Sequence, residues 1–294
     1  MTKIIAVASG KGGVGKSFFS ANLAISLNNK GFNTLLVDGD LGGANLHNFV
    51  GLKVANVGIY EFLKNKLDIK EIIIKTPAKV DFIGGASDIL GMAHITNYEK
   101  LKIINTLKRL NYNYVVMDLG AGTSYNMLDF FNFADKKVII LNSEPTSIEN
   151  SYGFLKISLY RVIEKLIKNN PLLEKVAVRL KSRSKNYKRV EDILEDIKGY
   201  DSNYVDKVKE LISSYRVGLV LNMLKFKKEL NVFFGFETVA RKYLNIQIEK
   251  LGFIPFDTEI QESLKRLEPF YYYSDNRFIK ERFDEISDKV ISNM

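Results

Sequence analysis

Eight residues near the start of the chain, Gly10-Lys11-Gly12-Gly13-Val14-Gly15-Lys16-Ser17, have the spacing G-x-x-x-x-G-K-[ST], which points to phosphate chemistry. Glycines permit backbone conformations closed to other residues, so successive N–H groups can turn inward around phosphate oxygens. A helix starting at this point adds its positive end to the same oxygens. Lys16 is then placed to neutralise charge on β- and γ-phosphates, and the Ser17 hydroxyl to bind Mg²⁺. A chance glycine-rich turn between strand and helix is the bland alternative.

Two further stretches carry carboxylates of the right kind. Val37-Asp38-Gly39-Asp40-Leu41-Gly42-Gly43 puts two aspartates at the end of an apolar run, where open α/β sheets place ligands. Asp38 could instead close a turn or cap the next segment. Val115-Val116-Met117-Asp118-Leu119-Gly120-Ala121-Gly122 reads as a Walker B strand followed by a switch II loop. There Asp118 would hold Mg²⁺ through water, and Gly120, lacking a side chain, could approach the γ-phosphate. Apart from Asp40 no general base stands out, so hydrolysis would rest on positioning and electrostatics.

These residues need a scaffold, and the hydrophobic pattern supplies one. Short β-branched runs recur at Ile4 to Ala8, Thr34 to Val37, Val80 to Ile83, Tyr114 to Met117, Val138 to Leu141, Val217 to Leu221 and Gln247 to Ile254. Such runs suit strands buried on both faces. Helical segments fall between several of them, at Lys16 to Asn29, Tyr98 to Leu110, Ser147 to Ile167, Lys227 to Leu244 and Asp257 to Leu267. The expected fold class is α/β: a P-loop, doubly wound, mostly parallel sheet with helices on both faces. Residues 1–294 read as a single domain. Residues 169–215 break the alternation with helix-like pieces at Val190 to Lys198 and Tyr204 to Ser213, and are expected to form a helical insertion. Residues 277–294 place Ile279, Phe283, Ile286, Val290 and Met294 at helical spacing.

Composition narrows the chemistry. The 294 residues contain no cysteine and two histidines, His47 and His94, which excludes disulfides, iron–sulfur clusters and thiolate zinc sites. Any metal should be oxygen-bound. The apolar run after Met1 is too short for a signal peptide, no run approaches 18 residues, and a cytoplasmic address is expected. The net charge of +9 favours acidic partners. Part of it is local: Lys175, Arg179, Lys181, Arg183, Lys185, Lys188 and Arg189 follow one another without a carboxylate, as a solvated face or a nucleic-acid or partner surface.

Lys11 adds a lysine that an ordinary phosphate loop does not need, and with it the stretch resembles the deviant Walker A motif of the MinD/ParA family. Most of the chain shares that resemblance, which weakens over residues 169–215. It implies a Mg²⁺-dependent ATPase, with Lys11 reaching the ATP of a partner subunit across an ATP-sandwich homodimer. It also implies that Asp40 is the switch I carboxylate that orients the attacking water, with Asp38 supporting the loop and metal shell. Catalytic work thus falls to Lys11, Lys16 and Asp40, and metal binding to Ser17, Asp40 and Asp118. The nucleotide-contacting set comprises Gly10 through Phe18, Asp38, Gly120, and residues of two late loops that resemble the family's adenine contacts. One is Leu221-Asn222-Met223, where Asn222 could offer a donor and an acceptor to a base edge or simply end a strand. The other, Gly252-Phe253-Ile254-Pro255-Phe256-Asp257, would wrap the ring with backbone groups around Pro255 and Phe256. Phe18 stands where a hydroxyl residue often follows Ser17, so any α-phosphate contact there comes from backbone.

Within the family, Asp40-Leu41-Gly42-Gly43-Ala44-Asn45-Leu46 looks closest to the FlhG/FleN branch, MinD-like regulators of flagellar number and placement. The chain opens at its first strand, so the N-terminal extension of that branch is expected to be missing. The resemblance further implies slow turnover stimulated by a protein partner, and peripheral membrane contact through a C-terminal amphipathic helix. For the latter, residues 277–294 are a poor candidate, because acidic and basic residues balance on the polar face. The rival readings are a ParA-type partition ATPase that binds DNA through basic surface and a bacterial tyrosine kinase, suggested only by Tyr271-Tyr272-Tyr273.

Overall fold

The computed structural model describes residues 1–85, 95–181 and 187–293. Eight strands form one sheet in the order β3-β4-β2-β5-β1-β6-β7-β8. Their ranges are β1 Lys3–Ala8, β2 Thr34–Gly39, β3 Ile74–Lys75, β4 Asp81–Ile83, β5 Tyr114–Leu119, β6 Lys136–Leu141, β7 Arg216–Leu224 and β8 Gln247–Pro255. All neighbours run parallel except the short β3, which pairs antiparallel with β4 at one edge. The mostly parallel, doubly wound sheet is the architecture that the sequence pattern implies.

Central strands buried on both faces explain the uninterrupted apolar runs. Ile4, Ala6 and Ala8 of β1 face one apolar layer, and Ile5 and Val7 the other. The first layer contains α3 (Asn97–Arg109), α4 (Tyr125–Phe133), α5 (Pro145–Ile167) and α9 (Asn231–Leu244); the second is built on α1 (Lys16–Asn29) and α12 (Arg277–Asn293). Shorter helices are α2 (Ile59–Leu63), α6 (Glu174–Lys181), α7 (Val190–Tyr200), α8 (Asn203–Ser214), α10 (Thr258–Lys265) and α11 (Phe270–Tyr273). Val176, Ile193, Ile197, Val208 and Ile212, from α6 to α8, are buried in the same layer as α5 and α9. The described part of residues 169–215 contains helices α6, α7 and α8, and these share an apolar core with the sheet.

Every residue from Phe18 to Leu27 is buried, so α1 is covered on all sides. Its outer cover is α12. Ile279, Phe283, Ile286 and Val290 lie at 0 to 1% exposure within the α1 layer. Ser26 Oγ donates to Asp284 at 2.6 Å, Lys30 pairs with Asp288 at 2.7 Å, and Lys136 Nζ donates to the Val290 carbonyl at 2.6 Å. The apolar stripe is therefore spent on the protein's own core, which removes it as a lipid-facing surface. Met294 lies outside the described residues.

The basic stretch also looks different in three dimensions. It begins within α6, where Arg179 is bonded to Asp196 at 2.6 Å and Lys181 to Glu164 at 3.0 Å. Carboxylates distant in sequence neutralise these cations. Arg183 and Lys185 lie outside the described residues, as does His94. Two local readings change. The segment Lys227 to Leu244 is not one helix but a 3₁₀ turn, Lys227–Leu230, followed by α9. And α4 forms where no helix is expected, started by Ser124, whose hydroxyl accepts the Met127 N–H.

Candidate functional site

The phosphate loop links β1 to α1 at the middle of the sheet, with β5 on one side of β1 and β6 on the other. The order of successive strands reverses there, with β2 on one side of β1 and β6 on the other, and the crevice outside the carboxyl ends of the strands at such a point is the usual ligand position in open parallel sheets. Gly15 is the N-cap of α1 at φ 81°. A Cβ on Gly15 would lie 2.3 Å from the Asn222 amide nitrogen, so this position combines left-handed backbone with no room for a side chain. Asn222, buried at the end region of β7, donates to the Val14 carbonyl at 2.8 Å and so braces the loop from beneath. Gly12 and Gly13 are exposed at the loop's tip, while Gly10 lies against the α5 backbone at Asn150. Phe18 points away from the crevice, its ring packed against Phe49, Phe270 and Phe283.

Asp118 collects the polar groups at the base of the site. Its Oδ2 lies 2.9 Å from Lys16 Nζ and accepts from Ser17 Oγ at 2.7 Å, while its Oδ1 accepts from Ser20 Oγ at 2.7 Å. The helix period explains the convergence, because residues 16, 17 and 20 fall on one side of the first turn of α1. Ser20 is absent from the sequence-based candidates. Its signal was the spacing of three and four residues from Ser17 and Lys16.

Strand register sets the electrostatics. Asp38 of β2 is paired with Asp118 of β5, two carboxylates side by side in the sheet. Burial pushes the Asp38 carboxyl up to about 7, and the Asp118 charge adds to the rise. Its oxygens accept N–H groups from Asp40 and Leu46, each at 3.0 Å, which holds the loop after β2 in place. Asp40 accepts from the N–H groups of Gly42 and Gly43 at 3.2 and 3.1 Å. Its carboxylate lies so close to Gly120 that a Cβ there would sit 3.1 Å from it. The loops after β2 and β5 thus meet at Asp40 and Gly120, beside the phosphate loop.

The donors suit Mg²⁺. Ser17, Asp40 and Asp118 offer only oxygen, the ligand type that this ion selects. Among the described residues no group of three or more His, Cys, Asp or Glu could hold a metal. A metal here would share its shell with phosphate and water, the usual arrangement at phosphoryl sites.

Lys11 occupies the outer rim. Its Nζ lies 2.7 Å from Glu144 Oε2 and 3.1 Å from Thr146 Oγ1, both at the start of α5 of the same chain. Hydrogen bonding to Lys11 holds the Glu144 carboxyl below its ordinary value. Sequence reading missed Glu144 and Thr146, since nothing local ties residue 144 to residue 11. On the other flank, Pro255 ends β8 and the Phe256 N–H donates to the Leu224 carbonyl at 2.8 Å. Phe256 is partly exposed, with Lys225 Nζ 4.9 Å from its ring centre. Lys11, Lys16, Ser17, Asp40, Asp118, Gly120 and Asn222 therefore gather about one crevice, with the Pro255–Phe256 loop following the strand next to Asn222.

Known proteins share the family and the fold of this chain. Residues 5–270 match the model of the CobQ/CobB/MinD/ParA nucleotide-binding domain. The flagellum site-determining protein YlxH of Helicobacter pylori is 37% identical over 161 residues, 53% of this chain and 54% of that protein. The antiactivator FleN of Pseudomonas aeruginosa is 29% identical over 157 residues, 53% of this chain and 56% of its own length. The aligned stretch spans about half the length of the curated relatives it matches. Among solved structures, the septum site-determining protein MinD from Pyrococcus horikoshii, complexed with Mg-ADP, superposes with a TM-score of 0.67 at 20% identity. That superposition covers 99% of this chain and 97% of the other.

Proposed function

The chain belongs to the CobQ/CobB/MinD/ParA nucleotide-binding family, and we propose that it is a Mg²⁺-dependent ATPase whose ATP-bound form is a homodimer acting as a spatial switch. The observation that carries this reading is the convergence of Lys16 and Ser17 on Asp118 directly beneath the phosphate loop. Without a ligand, Asp118 balances the Lys16 charge. With a nucleotide bound, Lys16 exchanges that partner for phosphate oxygens, and Ser17 and Asp118 become free to face the metal. Mg²⁺, when bound, neutralises charge across the phosphate oxygens.

The remaining residues position and sense. Asp40, held by two N–H groups and set against Gly120, orients the attacking water and links the two switch loops. Asp38 fixes the loop that carries Asp40. Asn222 keeps the phosphate loop seated, and the loop at Pro255 and Phe256 lies against the adenine. Lys11 leaves Glu144 to reach the nucleotide of the second subunit. The switch governs flagellar number or placement, a reading supported by the YlxH and FleN matches. A protein partner stimulates hydrolysis. Residues 1–294 act as one ATPase domain, elaborated by the helices of residues 169–215.

Light scattering after size-exclusion chromatography tests the switch. The chain should be monomeric without nucleotide and dimeric with Mg-ATP. Asp40→Ala should remain dimeric for longer than the unmodified chain, and Lys11→Ala should stay monomeric while still binding ATP. Absence of any affinity for adenine nucleotides in the presence of Mg²⁺ would refute the reading.

A further inference from the structure

A cavity of about 520 Å³ opens where α4, α5 and α6 meet, and none of the residues lining it is assigned to nucleotide or metal. Its volume lies within the range of about 300–1,000 Å³ typical of small-molecule sites. One wall is a single face of α5, because Gly153, Lys156, Ile157, Tyr160, Arg161 and Glu164 recur at helical spacing. Gly153 keeps that wall open: a Cβ there would meet no atom within 4 Å. Leu128 of α4 and Leu180 of α6 line the flanks, and Tyr125, 63% exposed, borders the cavity at the start of α4. The lining thus combines apolar and aromatic surface with charge.

That charge is predominantly positive. Lys181 is paired with Glu164 at 3.0 Å. Arg161 shares the buried Asp129 with Lys100 and Lys165, so three cations divide one carboxylate and their charge is only partly offset. Lys156 is half-buried and, among the described residues, makes an ion pair with no carboxylate. Its ammonium lies 5.3 Å from the centre of the Tyr160 ring, and burial holds it below the ordinary lysine value. Asp192, the carboxylate that acts on it from a distance, already accepts the N–H groups of Lys188 and Arg189. A partly desolvated cation without a counter-charge is stabilised by an anion brought beside it.

We propose that this cleft binds a small organic anion with a ring-sized apolar body, its carboxylate or phosphate meeting Lys156 in the field of Arg161 and its body resting against Leu128, Ile157 and Leu180. An inorganic anion would leave most of the cavity and its apolar lining uncovered. A wholly apolar ligand would leave Lys156 desolvated and without a partner. The cleft also borders the loop after β5, since Thr123 lines it and follows Gly122 directly. An occupant would therefore touch the same loop that carries Gly120.

Equilibrium dialysis of the full chain against 2-naphthoate, 2-naphthyl phosphate and the neutral 2-naphthamide tests this. At least one of the two anions should bind, one molecule per chain, on the order of tenfold more tightly than the amide. The stronger of the two marks the occupant as a carboxylic acid or a phosphate ester. Gly153→Leu fills the cleft while favouring the helix, and should abolish binding. Lys156→Gln should weaken binding on the order of tenfold, the scale of one charge-assisted hydrogen bond. Lys175→Gln, at an exposed position of α6 outside the cavity, should change nothing. Thermal unfolding checks that each variant is folded, and Lys156→Gln decides the matter if Gly153→Leu is not. Because no nucleotide is present, the outcome is independent of the ATPase reading. The proposal is overturned if neither anion binds, if the amide binds as tightly, or if Lys156→Gln or a folded Gly153→Leu binds as the unmodified chain does. It is equally overturned if Lys175→Gln weakens binding as much as Lys156→Gln.

Discussion

The floor of the crevice and its rim both hold a lysine against a carboxylate, but the two pairs are built differently. On the floor, Lys16 and Asp118 have side chains 10% and 2% exposed, and Ser17 and Ser20 use the remaining capacity of Asp118. On the rim, Lys11 and Glu144 are 39% and 57% exposed. A buried pair leaves an uncompensated charge when one member is removed, whereas water replaces a lost partner at the surface. The floor is thus suited to fixed electrostatics, and the rim to a contact that can be exchanged for another.

The sharpest way to break this contrast is Lys16→Ala. It removes the cation aimed at the phosphates and leaves the Asp118 charge in their place. Nucleotide affinity, measured by calorimetry in Mg²⁺, should fall on the order of 1,000-fold, since truncating one member of a buried charged contact costs about 2–5 kcal/mol. A loss under tenfold would mean that the floor is no more rigid than the rim.

The next effect is a pH dependence confined to the floor. The Asp38 carboxyl is raised to about 7, first by burial and then by Asp118. The folded chain therefore holds a proton that the unfolded chain releases near the ordinary carboxylate value. Stability from this group is greatest below that value and is lost as pH rises towards about 7, at no more than roughly 1.4 kcal/mol per pH unit. Asp38→Asn removes the titration and keeps one acceptor oxygen, enough for one of the two N–H groups, of Asp40 and Leu46, that bond separate carboxylate oxygens. Denaturant unfolding between pH 5 and 8 should show a decline in the unmodified chain that is shallower in Asp38→Asn; parallel curves would reject the account.

The same contrast explains what the sequence could reveal. Floor residues follow local rules: a glycine-rich spacing, the helix period after Lys16, and aspartates at strand ends. The strand runs were legible because central parallel strands bury both faces. Contacts made across the fold were not. Nothing near Lys11 names Glu144, 133 residues away, and nothing near Arg179 names Asp196 as the partner that quiets part of the basic stretch. The helical spacing of residues 279 to 290 was visible, but that it is buried against α1 became plain only once α1 proved to be covered all round. Helix α4 escaped notice because Tyr125-Asn126-Met127-Leu128-Asp129-Phe130-Phe131 is apolar with little periodicity. Its charged residue, Asp129, is buried against Lys100, Arg161 and Lys165 of the neighbouring helices α3 and α5.

The smallest expected effect belongs to Glu144→Ala, and it separates the two uses of lysine most cleanly. Glu144 lies on the surface, so its loss returns Lys11 to water and to Thr146 without stranding a buried charge. ATP affinity of the isolated chain should change by less than about threefold, in keeping with the small worth of exposed ion pairs. Dimerisation with Mg-ATP should be retained or slightly strengthened, because Lys11 no longer has to leave a carboxylate before it crosses to a second subunit. Lys11→Ala should also spare ATP affinity but abolish the dimer. If Glu144→Ala instead matched Lys11→Ala by blocking dimerisation, Glu144 would be part of the subunit contact, and the rim would be as fixed as the floor.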